Sequence, residues 1–373
     1  MGFAAWFEAE FNVQEPRPYA ACRSAFGLAS AGDGGPKFRG ATGELEPVVL
    51  ICPDGTKRHV GPFETPRLAE MRAAVTSEGE PVGLGGLRYG NVAGDARSLI
   101  LDPANAGAVF QVASQLNCLE MVGPNVRPED GVTIYGSDRT QGPACAMAAP
   151  AGTVYRNFLC QGGHGQSGGS HRQIDTASGA ADCLDNAKNT YWSVSNGYLL
   201  PTAPGKMRAL GDRLSADNEL SERVRDSLGV GIHWDTQTAR RRRDDADHVP
   251  HRVCQVFCSA MPLAYAKSTP VGDWAAFARL VLEAAYENVL CAGALLAARR
   301  NERQQVFLTA IGGGVFGNPT SWVADAILRA LRRYALHPLD VTLVSYKHIP
   351  GPETELGSIV AKLAPPGRRG QRG

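Results

Sequence analysis

Carboxylates and glycines are the residues of this 373-residue chain whose types and spacing can do chemistry. Glu120, Asp130 and Asp138 follow a polar cluster, Ser114, Gln115 and Asn117, which closes the apolar run AVFQVAS. Far downstream, Gly312, Gly313 and Gly314 close a second apolar run in VFLTAIGGGVFGNP. Glycine has no Cβ, so this backbone can take positive φ and turn several N–H groups onto one anion. Pro319 suits the first turn of a following helix, whose positive end would face the same anion. Phe316, inside the loop, is suited to covering a sugar or a second phosphate. A tight packing turn would use the same glycines without a ligand. A P-loop is a poor fit, because no Lys-Ser or Lys-Thr follows them.

Acids beside a phosphate cradle weaken anion binding unless they act on a cationic or oxocarbenium-like centre. The pairing therefore points to a nucleotide-sugar with a reactive anomeric carbon. Gly142, ahead of Pro143 and the small residues ACAMAA, allows a helix start to approach a ligand closely. For every acid the non-catalytic alternative is a helix cap or a turn, and Asp130-Gly131 reads as an ordinary turn. Asp175, Asp182 and Asp185 are read as caps and turns in preference to a Mg²⁺ site. Tyr191-Trp192 and Asn196-Gly197-Tyr198 suit either the outer edge of a pocket or core packing.

The elements that must position these groups alternate. Apolar, β-branched runs predict strands over 108–114, 253–260, 306–311 and 341–346. Helices are expected over 65–74, 274–299 and 322–334, the last with Val323, Ile327, Ala330 and Leu331 on one face. Strand alternating with helix means an α/β fold with a largely parallel sheet, whose sites gather at the carboxyl ends of its strands. Residues 1–84 read as a mixed N-terminal α+β extension and 85–350 as the catalytic domain. Surface inserts are expected near 161–171, a glycine-rich loop read as mobile, and near 236–250, around the basic run at 240–243. Residues 351–373 read as a disordered tail.

Composition narrows the class further. Hydrophobic content of 43% with 20% charged residues is that of a soluble globular protein. A net charge of +1 gives no general attraction to nucleic acid or membrane. The N-terminal segment has acids where a signal peptide needs a basic start, and no run is read as membrane-spanning, so the expected location is cytoplasmic. Nine cysteines without a CxxC pair favour reduced thiols over disulfides or zinc. Cys254 and Cys258 are read as core, and neither Cys118 nor Cys145 has a partner in sequence that would make it a nucleophile.

The stretch from Phe110 to Asn117, the acidic and glycine-rich segment after it, and AIGGGVFGNP together resemble the macrodomain fold, which binds ADP-ribose between two loops. FQVASQLNCLEM and DGVTIYGSDRTQGPACA resemble more narrowly the arginine-specific macrodomain family represented by the bacterial effector MavL, which removes ADP-ribose from arginine side chains. The resemblance implies a three-layer αβα domain with a mixed, largely parallel sheet, acting without metal or cofactor. It implies that Asn117 reaches the distal ribose hydroxyls and that the backbone of Gly312, Gly313, Gly314, Val315, Phe316, Gly317 and Asn318 holds the pyrophosphate, with Phe316 packed on the ribose. Gly90-Asn91-Val92 stands where many macrodomains have Gly-Asp-Ile, so Asn91 would receive the adenine amino group beside Val92. Gln141 and Gly142 complete the expected ADP-ribose contacts. Asp130 and Asp138 match the family's two acting aspartates, with Glu120 a third candidate. The implied partner is an ADP-ribosylated protein; ubiquitin, on which a family member acts, enters by analogy alone. A reader that binds without chemistry, and a hydrolase of another ADP-ribose linkage, are the alternatives.

Overall fold

Alternating burial along its strands gives the molecule its layers. In Val109–Ala113, Val109 joins one hydrophobic cluster while Phe110 and Val112 join another. In Arg252–Cys258, Cys254, Val256 and Cys258 face the first cluster, and Val253 and Phe257 the second. A side-chain period of two with both faces apolar means a sheet covered on both sides. The computed structural model describes residues 5–30, 38–45, 48–81, 83–240 and 249–363.

The main sheet has seven strands: β1 Phe63–Glu64, β2 Arg88–Ala93, β3 Val109–Ala113, β4 Gly231–Gln237, β5 Arg252–Cys258, β6 Gln304–Thr309 and β7 Leu339–Ser345. Their order is β1-β4-β5-β3-β6-β7-β2. The five strands from β5 to β2 are parallel, and β4 runs antiparallel to β5 and β1. The mixed, largely parallel α/β sheet expected from sequence is present. Phe110 and Phe307 stack across β3 and β6 at 4.6 Å.

On one face lie the helices Val271–Arg300, Thr320–Arg333 and Leu68–Glu78; on the other lie Ala96–Ile100, Gln141–Ala148 and Pro150–Val154. Val271–Arg300 is long and apolar enough to cross a membrane, contrary to the reading that no run reaches that length. Its most apolar window is 94% buried inside the fold, so protein covers that surface. Within it the fully buried Glu287 accepts from Arg72, Arg329 and Arg333, which tie three helices together. A third apolar cluster joins Phe7, Phe11, Tyr19 and Phe26 to Leu119, Tyr135, Val154 and Phe158.

Sequence did not reveal β1, β2 and β4. The first is two residues long. In β2, Gly90 and Asn91 are poor strand formers, and in β4 His233 and Asp235 break the apolar run. The loop at 161–171 is pinned where it was read as mobile. Gln166 is fully buried and donates to the carbonyls of Asn117 and Arg156, both at 3.0 Å, while its own N–H meets the Tyr19 hydroxyl. Within the expected tail, residues 359–363 form a short helix whose Ile359 is fully buried. Residues 241–248, most of the basic insert, and 364–373 lie outside the described residues.

Candidate active site

The glycine loop follows the carboxyl end of β6. Gly312 sits at φ +75°, and a Cβ there would lie 2.4 Å from the Ala260 Cβ, so the position accepts only glycine. Asn318 staples the loop: its backbone N–H and its Nδ2 both donate to the Gly312 carbonyl, and Nδ2 also donates to the Met261 carbonyl. Asn318, expected as a ligand contact, is therefore buried and shapes the loop. Between these anchors Gly313, Gly314 and Val315 are exposed. Among the described residues, no acceptor is paired with the N–H groups of Gly314, Val315 and Phe316. Three adjacent free donors are what an anion cradle requires.

The second loop, 114–121, leaves β3, the strand beside β6. Its hydrogen bonds turn inward. Asn117 is fully buried, its Nδ2 donating to Gln173 Oε1 at 2.9 Å and its Oδ1 accepting from the Leu119 N–H. The expected reach of Asn117 to a ribose is thus not its placement here; it organises the loop. Gln141 departs likewise, for its Oε1 accepts from the Ala113 N–H and its Nε2 donates to the Gln111 carbonyl, sealing the edge of β3. A Cβ on Gly142 would lie 2.2 Å from the Ala113 carbonyl oxygen. The close approach expected of Gly142 is made to the strand end and not to a ligand.

An aromatic wall joins the two loops. The Tyr198 ring lies 5.2 Å from Tyr265 and 5.6 Å from Phe316, and Tyr265 lies 5.8 Å from Phe316. The Ala264 N–H donates to the Phe316 carbonyl, and the Leu116 N–H to the Gly197 carbonyl, so the wall is fixed to both loops through the backbone. Burial, the adjacent Tyr265 hydroxyl and the Asp138 carboxylate together push the Tyr198 phenol well up, which keeps it a neutral donor.

The three acids have different surroundings. Glu120 is buried against Arg156, whose Nη2 reaches Glu120 Oε1 at 3.3 Å and whose Nε donates to the Cys118 carbonyl. Burial pushes this carboxyl up to about 7 against the pull of Arg156. Asp130 is exposed and accepts from the Arg127 N–H, closing its own turn. Asp138 is half-buried, accepts from the Thr140 N–H ahead of the Gln141–Ala148 helix, and stands within electrostatic reach of Tyr198. Of the three, Asp138 is the one whose charge acts on Tyr198, as the smallest of the influences that raise that phenol.

Asn91 and Val92 lie on β2, two strands from β6, with Asn91 Oδ1 accepting from the Tyr89 hydroxyl at 3.1 Å. Asp175 and Asp185 serve a turn and an ion pair with Arg213. Trp192 is core, stacked on Phe277. A separate hollow of about 210 Å³, lined by Leu87, Tyr89, Leu331 and Val360, opens beside the start of β2. Sequence reading missed Tyr265, although its place just past β5, the other neighbour of β3, was a usable signal. Arg156 and Gln173 were missed because buried polar partners declare themselves only in three dimensions.

No protein-family model matches this sequence, and no curated protein does. Among solved structures, it is similar to poly(ADP-ribose) glycohydrolase from Thermomonospora curvata bound to the inhibitor ADP-HPD, at 13% identity and a TM-score of 0.42, covering 84% of this chain and 93% of that one. It is also similar to poly(ADP-ribose) glycohydrolase from Deinococcus radiodurans in complex with ADP-ribose, at 11% identity and a TM-score of 0.44, covering 81% and 94%. At that distance the likeness assigns no residue a role.

Proposed function

We propose that the protein binds an ADP-ribosyl group and hydrolyses its glycosidic bond, with ADP-ribosyl-arginine on a protein as the substrate. The observation that carries this reading is the meeting of two sequence-distant loops on one aromatic wall, at the carboxyl ends of neighbouring parallel strands. The free N–H groups at 314–316 suit a pyrophosphate, and Phe316, Tyr265 and Tyr198 suit the apolar face of a ribose. In the reaction the C–N bond breaks as positive charge grows on the ribose ring, water adds to the anomeric carbon, and the guanidine leaves with a proton. A carboxylate at the wall offsets that charge or orients the water.

Asp130 favours a second reading, since its carboxylate is taken up by its own turn and Glu120 is paired with Arg156. A site with Asp138 alone suits a reader that binds ADP-ribose without cleaving it. The deciding experiment is release of ADP-ribose from an arginine-ADP-ribosylated protein in the presence of a chelator, compared with Asp138→Ala. Release that Asp138→Ala abolishes while ADP-ribose binding persists supports the hydrolase. Binding without release by the unaltered protein leaves the reader.

A further inference from the structure

Three buried amides form a one-way relay behind the site. The Leu119 N–H donates to Asn117 Oδ1 at 3.1 Å, Asn117 Nδ2 to Gln173 Oε1 at 2.9 Å, Gln173 Nε2 to Asn196 Oδ1 at 2.9 Å, and Asn196 Nδ2 to the Pro124 carbonyl at 2.7 Å. All three side chains are at least nine-tenths buried. The ends fix the direction, because a backbone N–H can only donate and a backbone carbonyl can only accept. Reversing any one amide would set donor against donor and acceptor against acceptor, in a place where an unpaired polar group is costly.

We infer that Gln173 is a positioning residue for the ADP-ribosyl site; this rests on the site proposed above. Its two bonds join two of the segments that surround the wall, and Asn196 carries the relay on to the third. Asn117 belongs to the loop leaving β3. Asn196 is at the tip of the hairpin Trp192–Ser195 and Tyr198–Pro201, which carries Tyr198. Pro124 lies in the segment leading to Asp138. At the tip, Gly197 is packed so tightly that a Cβ would come within 2.7 Å of both Asn117 and Gln115, so the hairpin cannot shift without moving the loop. Gln173 thereby sets the spacing between the Tyr198 ring, the end of β3 and the acid-bearing segment. It touches no ligand itself. Among the described residues, no charged side chain hydrogen-bonds any of the three amides.

The experiment uses the full-length protein with Gln173→Ala and Gln173→Glu, reading ADP-ribose affinity by calorimetry and amide hydrogen exchange across 115–121 and 195–198 without ligand. Glu has the right size, but its carboxylate cannot donate to Asn196 Oδ1. Once protonated it has one donor and one acceptor, the pattern of the amide it replaces. Gln173→Glu should therefore bind ADP-ribose about 10-fold more weakly than the unaltered protein at roughly pH 8 and approach it at roughly pH 5, where a buried carboxyl is neutral. Gln173→Ala should remain weak at both, with faster exchange at Leu116 and Leu119. A melting temperature that falls while affinity and exchange stay unchanged would overturn the inference and leave a merely structural glutamine. If the unaltered protein fails to bind ADP-ribose, the proposed function falls, and the exchange data still decide whether Gln173 orders the loop. Unchanged exchange in both variants would sink the inference on its own.

Discussion

The Tyr198 hydroxyl donates to the Met121 carbonyl at 2.6 Å, which ties the aromatic wall to the end of the loop that leaves β3. Tyr198→Phe keeps the ring and leaves that buried carbonyl without its partner. We expect a stability loss of about 1–2 kcal/mol. ADP-ribose affinity should fall by only a few-fold, because the ring is retained. Tyr198→Ala, which removes the wall itself, should cost clearly more affinity. Thermal melting and ligand titration on the same preparations separate the two effects.

Glycines of one loop should respond oppositely to the same change. A methyl on Gly314 meets nothing within 4 Å, whereas one on Gly312 meets Ala260 and Asn318 in a backbone at positive φ. Gly314→Ala should leave the melting temperature unchanged, with any affinity loss due to crowding of the ligand alone. Gly312→Ala should destabilise by more than about 1 kcal/mol and abolish ADP-ribose binding. Equal effects of the two substitutions would argue against the cradle geometry.

The aspartates should no longer be equivalent. Asp138→Asn is expected to lower ADP-ribose release by about 100-fold or more, in the range of lost general acid–base or charge stabilisation, with binding nearly intact. Asp130→Asn keeps an oxygen that can accept from the Arg127 N–H and removes only the charge, so it should cost less than about 1 kcal/mol of stability, with a small effect on rate. Single-turnover release measured with saturating enzyme checks both. A rate loss for Asp130→Asn as large as that for Asp138→Asn would place Asp130 at the reaction after all.

Glu120 gives the fold a pH signature. Its carboxyl is raised to about 7 in the folded protein, first by burial, from an ordinary value near 4.5. Between those values the folded state holds more protons than the unfolded one, so this group's contribution is fully present below 4.5 and is lost as pH rises through about 7. Glu10, raised to about 7 by burial beside Arg58, acts in the same direction. Denaturant midpoints measured across that window should fall with rising pH, and less steeply in Glu120→Gln.

Substitution of Glu287 with Ala would remove the shared acceptor of Arg72, Arg329 and Arg333, leaving Arg72 with Asp226, Arg329 with Glu283 and the half-exposed Arg333 with solvent. Breaking a fully buried ion pair on one side typically costs about 3–5 kcal/mol, and because these guanidinium groups reach solvent or keep a second carboxylate we expect a smaller loss, of about 1–3 kcal/mol. A midpoint shift of under about 1 kcal/mol would mean that water already screens the cluster.

How much of this was legible depended on where a residue's partners lie. Strands β3, β5 and β6 announced themselves because both faces are covered, which leaves apolar runs broken by one glutamine at most, and β7 by the alternation of Leu339, Val341 and Leu343. Half-covered β2 and mixed β4 lack that mark. The Gly312 turn was legible because only glycine suits it, and Phe316 because an aromatic inside such a loop is out of place. Asn117, Gln141 and Asn318 were identified as important, and their side-chain amides bond protein groups. In sequence an amide that binds a ligand and one that binds the backbone look alike, and only the depth of the side chain separates them. The same depth turned the loop at 161–171 from a glycine-rich tether into the seat of Gln166.

The two halves of the site are encoded about two hundred residues apart and are brought together by the pairing of Val306 and Phe307 with Val109 and Phe110. A growing polypeptide therefore cannot bring the two loops together until the residues through Asn318 have been made and the central sheet has closed. Ligand then stabilises only finished molecules, by RT ln(1 + [L]/Kd). Affinity for the proposed nucleotide-sugar would then be a proofreading signal for folding: any copy that held it would already have joined β3 to β6.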